Sequence, residues 1–395
     1  MTYRVNVNPE MLKWARINAG FEFDDLPKSL KNVPLWEEGK IKPTWNDLRR
    51  LAKKYKRPPV FYFASSPPVD NSPEIIEFRS NEIIDKFSLD LNLELNKAKY
   101  RRNVFINLNN DYNIKLKDFS TIIHENKNVE FFSNYIRSLM NISFDSQAKW
   151  IYNINEKKDH THSNFLYEWK EIISDLGILV FETEKVQENE MSGLSLYYDI
   201  SPIILLNGKN SINRRIFTLI HELVHLLMGE TTIGKVDFNN KKEAFCNKVA
   251  ANVLVPSDLL KNSKLSKNVS VKSLSKDKIN YRQLGTLSHM FGVSKQVILI
   301  QLYKINKISL KFKNEYLNQL KEQNNVKKIK EKEKRSFGGI SPVGKVKKYV
   351  GKPFSRFIID AYENNIIGYS SFQKYLDLDI DLLDSLHDEV YNFFR

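Results

Sequence analysis

The chain has 395 residues, of which 42% are hydrophobic, and a formal net charge of +14, so it is long enough for two or three domains with their own cores. No apolar run approaches the roughly 18 residues that a membrane-spanning helix requires, and the first residues lack the apolar core of a signal peptide. A single cysteine excludes an intramolecular disulfide, and together these features predict a cytoplasmic protein.

Residues 1–66 are predicted to form a first helical domain. Helices are expected over Pro9–Asn18, Asp24–Leu30 and Trp45–Tyr55. Before the last of these lies Trp36-Glu-Glu-Gly-Lys-Ile-Lys-Pro-Thr44, which resembles the corresponding segment of Xre-type helix-turn-helix domains and implies DNA binding. About one helical turn is missing where the recognition helix belongs, so a degenerate module that serves docking or dimerisation is an equal alternative.

The next stretches differ in their patterns. Residues 67–148 are weakly periodic and are predicted to form a helical spacer. Residues 149–310 form the next predicted domain, with short strands over Gly177–Glu182, Gly193–Tyr198 and Pro202–Asn207. The fold class predicted for the whole chain is therefore α+β and mostly helical, with a small three-stranded sheet in the central domain.

The strands lead into Phe217-Thr-Leu-Ile-His-Glu-Leu-Val-His-Leu-Leu-Met-Gly229, which is predicted to form a buried helix ending at the glycine. His221 and His225 are four residues apart and fall on one helix face, so both imidazoles can reach one metal ion. Glu222 lies one step round the helix, where its carboxylate can act on water. This HExxH arrangement is typical of zinc peptidases.

A catalytic zinc ion takes three protein ligands and keeps one open position. Glu243, on a second predicted helix that stops before Pro256, is the best candidate for the third ligand. Glu230, Asp237 and Cys246 compete for that role. Asn247, one turn after Glu243, is predicted either to orient a ligand histidine or to serve local packing.

The quoted helix and the later segment Glu243-Ala-Phe-Cys-Asn-Lys-Val-Ala-Ala-Asn-Val-Leu-Val-Pro256 resemble the ImmA/IrrE metallo-endopeptidases over about residues 150–310. The resemblance implies that His221, His225 and Glu243 bind zinc and that Glu222 is the catalytic base. The chain departs from the family at Cys246, where alanine is usual, and at Val224, where glycine is common. Candidate donors for the oxyanion are Tyr197, Tyr198 and His289.

Downstream of the motif the chain is helical and basic. Two helices around Phe291-Gly-Val-Ser294 resemble a second helix-turn-helix element, over residues 281–305. Residues 311–352 are predicted to be a basic linker that either is solvated or contacts nucleic-acid phosphates, since residues 321–352 carry 11 Lys or Arg against 3 Glu. Residues 353–395 are predicted to form a C-terminal helical unit.

Two functions of different classes follow. The first is a regulatory zinc metallo-endopeptidase, whose activity can be latent and whose substrate is a protein partner, by resemblance a helix-turn-helix repressor in stress response or mobile-element or toxin–antitoxin control. The second is a DNA-binding regulator or antitoxin in which the zincin fold is a scaffold. Expected partners are therefore a protein, DNA and a second copy of the chain, but no membrane.

Overall fold

The computed structural model of the chain describes residues 4–19, 21–55, 57–67, 87–119, 128–143, 146–147, 163–234, 241–266, 269–333 and 340–391. Within these ranges no helix is both long and apolar enough to cross a lipid bilayer. The contacts of the described residues divide the chain into two compact units, one before Tyr100 and the other from Tyr100 onward.

The first unit is a small bundle of short helices. These are α1 (Pro9–Asn18), α2 (Val33–Glu37) and α3 (Trp45–Lys54), with 3-10 helices at Phe23–Asp25, Lys28–Leu30 and Pro59–Phe63. The side chain of Asn8 caps α1, and Thr44 and Asp47 cap the start of α3 reciprocally. The predicted helices Pro9–Asn18 and Trp45–Tyr55 are confirmed.

The helix predicted over Asp24–Leu30 is wrong, because two 3-10 helices occupy this stretch. Pro27 is the physical reason: a proline disfavours helical backbone at the residue before it, and Leu26 is extended, with φ −87° and ψ 139°. The following helix, α2, has only five residues. The described part of the first unit therefore has no full-length helix between α1 and α3.

The second unit contains the sheet. Its elements up to residue 270 are α5 (Val129–Leu139), α6 (Ser163–Asp175), β1 (Leu179–Thr183), β2 (Gly193–Leu196), β3 (Ile203–Asn207), α7 (Ile212–Leu227), β4 (Thr232–Gly234), α8 (Lys241–Leu254), α9 (Ser257–Asn262), β5 (Lys264–Ser266) and β6 (Val269–Ser270). They follow α4 (Leu89–Asp111), which begins among the residues of the first unit. The three predicted strands are confirmed as β1, β2 and β3, and the fold is α+β and mostly helical as predicted.

The sheet has the order β1-β3-β2-β4, so the unpredicted strand β4 lies at its edge. Strand β1 runs parallel to β3, whereas β2 is antiparallel to both β3 and β4. Helix α7 packs on β2 and β3 and is flanked by α6 and α8. Every residue of β1, β2 and β3 is buried, which is why these strands consist mainly of continuous apolar runs.

Buried polar contacts connect α7 and α8, the helices that carry the metal-ligand candidates, to neighbouring elements. Glu182 on β1 binds Lys170 of α6 at 2.6 Å and Arg215 of α7 at 2.5 Å, so three buried charges satisfy one another. At the other side, Arg137 donates to the Val253 carbonyl at 2.8 Å and caps the end of α8. Burial lowers the pKa of Arg137 to about 10. The first group of contacts joins α6 and α7 to the sheet, and the second joins α8 to α5.

The chain after β6 continues as helices. They are α10 (Tyr281–Phe291), α11 (Lys295–Lys304), α12 (Leu310–Glu333), α13 (Pro342–Tyr349), α14 (Lys352–Glu363), α15 (Tyr369–Leu376) and α16 (Leu383–Tyr391), with a 3-10 helix at Ile380–Leu382. The predicted turn between α10 and α11 is confirmed: Gly292 has φ +62°, and the Ser294 side chain caps α11. The predicted basic linker begins as the long helix α12, and its residues 334–339 lie outside the described residues.

Candidate metal centre

Helix α7 carries His221, Glu222 and His225 into the interior of the second unit. All three side chains are at most 1% exposed. They lie among leucine, isoleucine and valine side chains of the same helix, which are also buried. A charged or polar group in such surroundings is costly unless it has partners, so the positions of those partners indicate what the site is for.

The structure brings His221 and His225 together with Glu243 of α8. The two Nε2 atoms are 3.1 Å apart. The Nε2 atom of His221 lies 3.1 Å from Oε2 of Glu243, and that of His225 lies 3.1 Å from Oε1. Among the described residues these three form the one group of His, Cys, Asp or Glu side chains arranged to hold a metal ion, with all ligand atoms within 4.8 Å of one another.

The chemistry of this donor set fits a divalent metal ion. The two imidazole nitrogens lie 3.1 Å apart and face the same carboxylate, so one cation could be bound by all three groups. Each carboxylate oxygen of Glu243 faces one of the two imidazole nitrogens at 3.1 Å. The set therefore offers two imidazole nitrogens and one carboxylate, which is the ligand combination of several catalytic zinc sites.

Glu222 belongs to a different group of contacts. Its Oε2 atom accepts a hydrogen bond from the Thr232 hydroxyl of β4 at 3.1 Å, and that hydroxyl lies 2.8 Å from Ser195 Oγ of β2. The Oε1 atom has no hydrogen-bond partner in the described part of the chain. Burial raises the pKa of this carboxyl. One oxygen is thus fixed by the sheet while the other is available as an acceptor.

The close approach of β2 to α7 requires glycine at position 193. A Cβ atom there would lie 2.4 Å from Cγ2 of Thr218 and 3.3 Å from Oε1 of Glu222. Any side chain would displace the helix or the Glu222 carboxylate. The glycine therefore allows the sheet to come this near to α7.

Residues 173–303 match the family model of IrrE N-terminal-like domains, Peptidase_M78. The matched segment is about a third of the chain and contains every residue of the cluster. It supports a metallopeptidase of the ImmA/IrrE type. Searches of curated proteins and of solved structures found no match.

Within the matched segment, the remaining sequence candidates do not belong to the group of ligand atoms. Cys246 Sγ is 4.0 Å from His225 Nδ1, and Glu230 contacts that same Nδ1 atom instead of joining the ligands. Asp237 lies outside the described residues. Both polar atoms of the Asn247 side chain are buried without a hydrogen-bond partner among the described residues, so neither a role in orienting a ligand histidine nor one in local packing is decided.

The candidate oxyanion donors have other contacts. The Tyr197 hydroxyl donates to the Asp199 carboxylate at 3.1 Å. The Tyr198 ring lies 3.7 Å from the Arg102 guanidinium, and His289 is exposed on α10. These contacts assign no oxyanion role to any of the three.

Sequence reasoning missed Ser195, Thr232 and the position of Glu230. Ser195 and Thr232 come close to Glu222 only because β2 and β4 pair with each other. No pattern in the local sequence predicts that pairing. For Glu230 a signal was present, since Gly229 was recognised as a helix stop and a glycine stop reverses the chain direction.

We expect Thr232→Val to lower peptide cleavage by about 10- to 100-fold, because a small displacement of a catalytic group has effects of this size. The substitution keeps the volume and removes only the hydroxyl that holds Glu222 Oε2. The measurement is the cleavage rate at equal metal content. The matched control is Thr218→Val on α7, since the Thr218 hydroxyl is buried and has no hydrogen-bond partner in the part of the chain that the structure describes. Equal rates in both variants would contradict the role of Thr232.

Proposed function

We propose that the chain is a regulatory zinc metallo-endopeptidase that cleaves a protein partner. The observation that carries the proposal is the buried group of His221, His225 and Glu243, with Glu222 on the same helix and outside the ligand set. The family match over residues 173–303 supports the same class of enzyme. The proposal is for a cytoplasmic protein, since a lone buried cysteine suits a reducing compartment.

The residues of the site have separate roles in metal binding and in proton transfer. His221, His225 and Glu243 would hold the metal. A zinc ion held there would act as a Lewis acid that lowers the pKa of water to about 7 and polarises the scissile carbonyl. Glu222 accepts the proton of the attacking water and delivers it to the leaving amine nitrogen. Thr232 keeps the Glu222 carboxylate in place during both transfers.

The partner that we propose is a helix-turn-helix transcriptional repressor whose cleavage releases stress-response or mobile-element genes. Two features of the chain support a restricted substrate. The first unit, whose sequence resembles an Xre-type domain, would give the peptidase a second surface for a specific partner or a second copy of the chain. The helices that follow α9 add further surface beside the peptidase domain. A peptidase with such additional surfaces is better suited to cleaving one specific partner than to degrading many proteins.

Incubation of the zinc-loaded chain with small helix-turn-helix proteins from the same genome tests the proposal. Mass spectrometry of the products should show cleavage of one such protein at a defined bond and leave an unrelated folded protein intact. Addition of a chelator should stop the cleavage and added Zn²⁺ should restore it. No cleavage of any candidate, or equal cleavage of all proteins offered, would contradict a selective peptidase.

One observation favours the alternative of a DNA-binding regulator. The helix-turn-helix pair α10–α11 and its surroundings, residues 278–314, contain seven Lys or Arg and no Asp or Glu. A basic segment of this kind suits contact with nucleic-acid phosphates. The more strongly basic segment Lys327–Arg335 adds to the charge, although its side chains lie outside those described.

A salt titration of duplex DNA binding separates this function from peptidase activity. Arg282 of α10 and Lys311 of α12 are both exposed. If these residues contact phosphates, Arg282→Gln and Lys311→Gln should each reduce the slope of log affinity against log salt by about one. Unchanged slopes would show that this element does not bind DNA, and they would leave the peptidase proposal intact.

A further inference from the structure

The turn that ends α7 has a defined geometry. Gly229 lies in the left-handed region with φ +75°. Its N–H donates to the Leu226 carbonyl at 2.9 Å, and the N–H of Glu230 donates to the His225 carbonyl at 3.0 Å. This pair of bonds is the Schellman motif, in which a glycine reverses the chain at a helix end. It places Glu230 beside the last turn of the helix, next to His225.

The reversal brings the Glu230 carboxylate to the ring nitrogen of His225 that faces away from the cluster. Oε2 of Glu230 lies 2.9 Å from Nδ1, a much closer contact than that of Cys246 Sγ at 4.0 Å. Nδ1–H therefore donates to the carboxylate. In that tautomer Nε2 carries the free lone pair, and Nε2 is the atom that faces His221 and Glu243.

The other oxygen of Glu230 forms an ion pair with Lys242. Lys242 immediately precedes Glu243 at the start of α8. The side chains of Glu230 and Lys242 are 12% and 25% exposed, so solvent screens the pair only partly. One carboxylate thus connects the end of the helix that holds two ligands with the start of the helix that holds the third.

We propose that Glu230 is a positioning residue for the metal centre. It fixes the tautomer and ring orientation of His225. Through its ion pair with Lys242, it also fixes the distance between Glu243 and the two histidines. The inference rests on the proposed metal-binding function and deepens it. Glu230 acts only through His225 and Lys242 and does not touch substrate. A carboxylate that holds the distal nitrogen of a ligand histidine raises metal affinity about 10- to 100-fold in other proteins.

The test is the dissociation constant of Zn²⁺ for the full chain, measured by competition with a chromophoric chelator. Glu230→Ala should raise this constant about 10- to 100-fold. Glu230→Gln should raise it less, because the amide oxygen still accepts from Nδ1–H but no longer attracts Lys242. Lys242→Met should cause a smaller rise than Glu230→Ala. In the Co²⁺-substituted protein, the visible absorption band should change in Glu230→Ala, since the imidazole orientation around the metal has changed.

Asp258→Asn is the matched control, because Asp258 forms an exposed ion pair with Lys261 in the same domain, 3.4 Å apart. This variant should bind Zn²⁺ as the wild type does. Wild-type affinity and an unchanged Co²⁺ spectrum in Glu230→Ala, or wild-type affinity in Glu230→Gln if the alanine variant does not fold, would overturn the proposal. A wild-type chain that binds no Zn²⁺, or binds it equally after His225→Ala, would instead overturn the proposed function.

Discussion

Replacing Glu222 with glutamine is expected to lower the rate of partner cleavage by about 10²- to 10⁴-fold, the usual contribution of a general acid–base group. Glutamine has the same shape, and its side-chain oxygen can still accept from Thr232. It cannot take up a proton from water, so both proton transfers fail. Glu222 lies outside the group of ligand atoms, and the variant should therefore retain the metal content of the wild type.

The rate is measured on the cleaved partner and the metal by elemental analysis of the same preparation. Glu188→Gln is the control, because Glu188 is an exposed carboxylate in the same domain and should tolerate the change. If the Glu222→Gln variant cleaved at the wild-type rate, Glu222 would not be the catalytic base. One that has also lost its metal would mean that Glu222 supports the ligand set, contrary to the contacts seen here.

Local periodicity was sufficient to predict the helices that carry the candidate site. The spacing of His221 and His225 placed both on one face of a helix, and Pro256 marked the end of the helix that begins near Glu243. Three strands followed from short apolar runs between turns. These features depend only on neighbouring residues, and the structure contains all of them as α7, α8 and β1 to β3.

The parts that were missed depend on residues far apart in sequence or on backbone geometry. Strand β4 has three residues and exists because β2 pairs with it. The bond between Thr232 and Glu222 follows from that pairing. The contact of Glu230 with His225 depends on the left-handed backbone at Gly229. The sequence pattern marks Gly229 as a helix stop and Glu230 as a competing metal ligand, but it does not reveal that the glycine turns Glu230 towards Nδ1 of His225.

Removing any one ligand is expected to abolish both metal retention and cleavage. His221→Ala, His225→Ala and Glu243→Ala each leave two donors where a catalytic zinc ion takes three. In the wild type, Zn²⁺ at 100 times its dissociation constant should stabilise the fold by about 2.7 kcal/mol and raise the melting temperature by several degrees. The variants should show no such rise in melting temperature, because Zn²⁺ would no longer bind the folded chain at this site in preference to the unfolded chain.

Melting curves with and without Zn²⁺, together with elemental analysis, check this expectation. His387→Ala is the control, since His387 stacks on Tyr391 in the C-terminal helices and is not among the ligand atoms. A ligand variant with the wild-type Zn²⁺-dependent rise would show that the ion binds elsewhere. Loss of the rise in all three variants, but not in Glu222→Gln, would separate the residues that hold the metal from the residue that moves the proton.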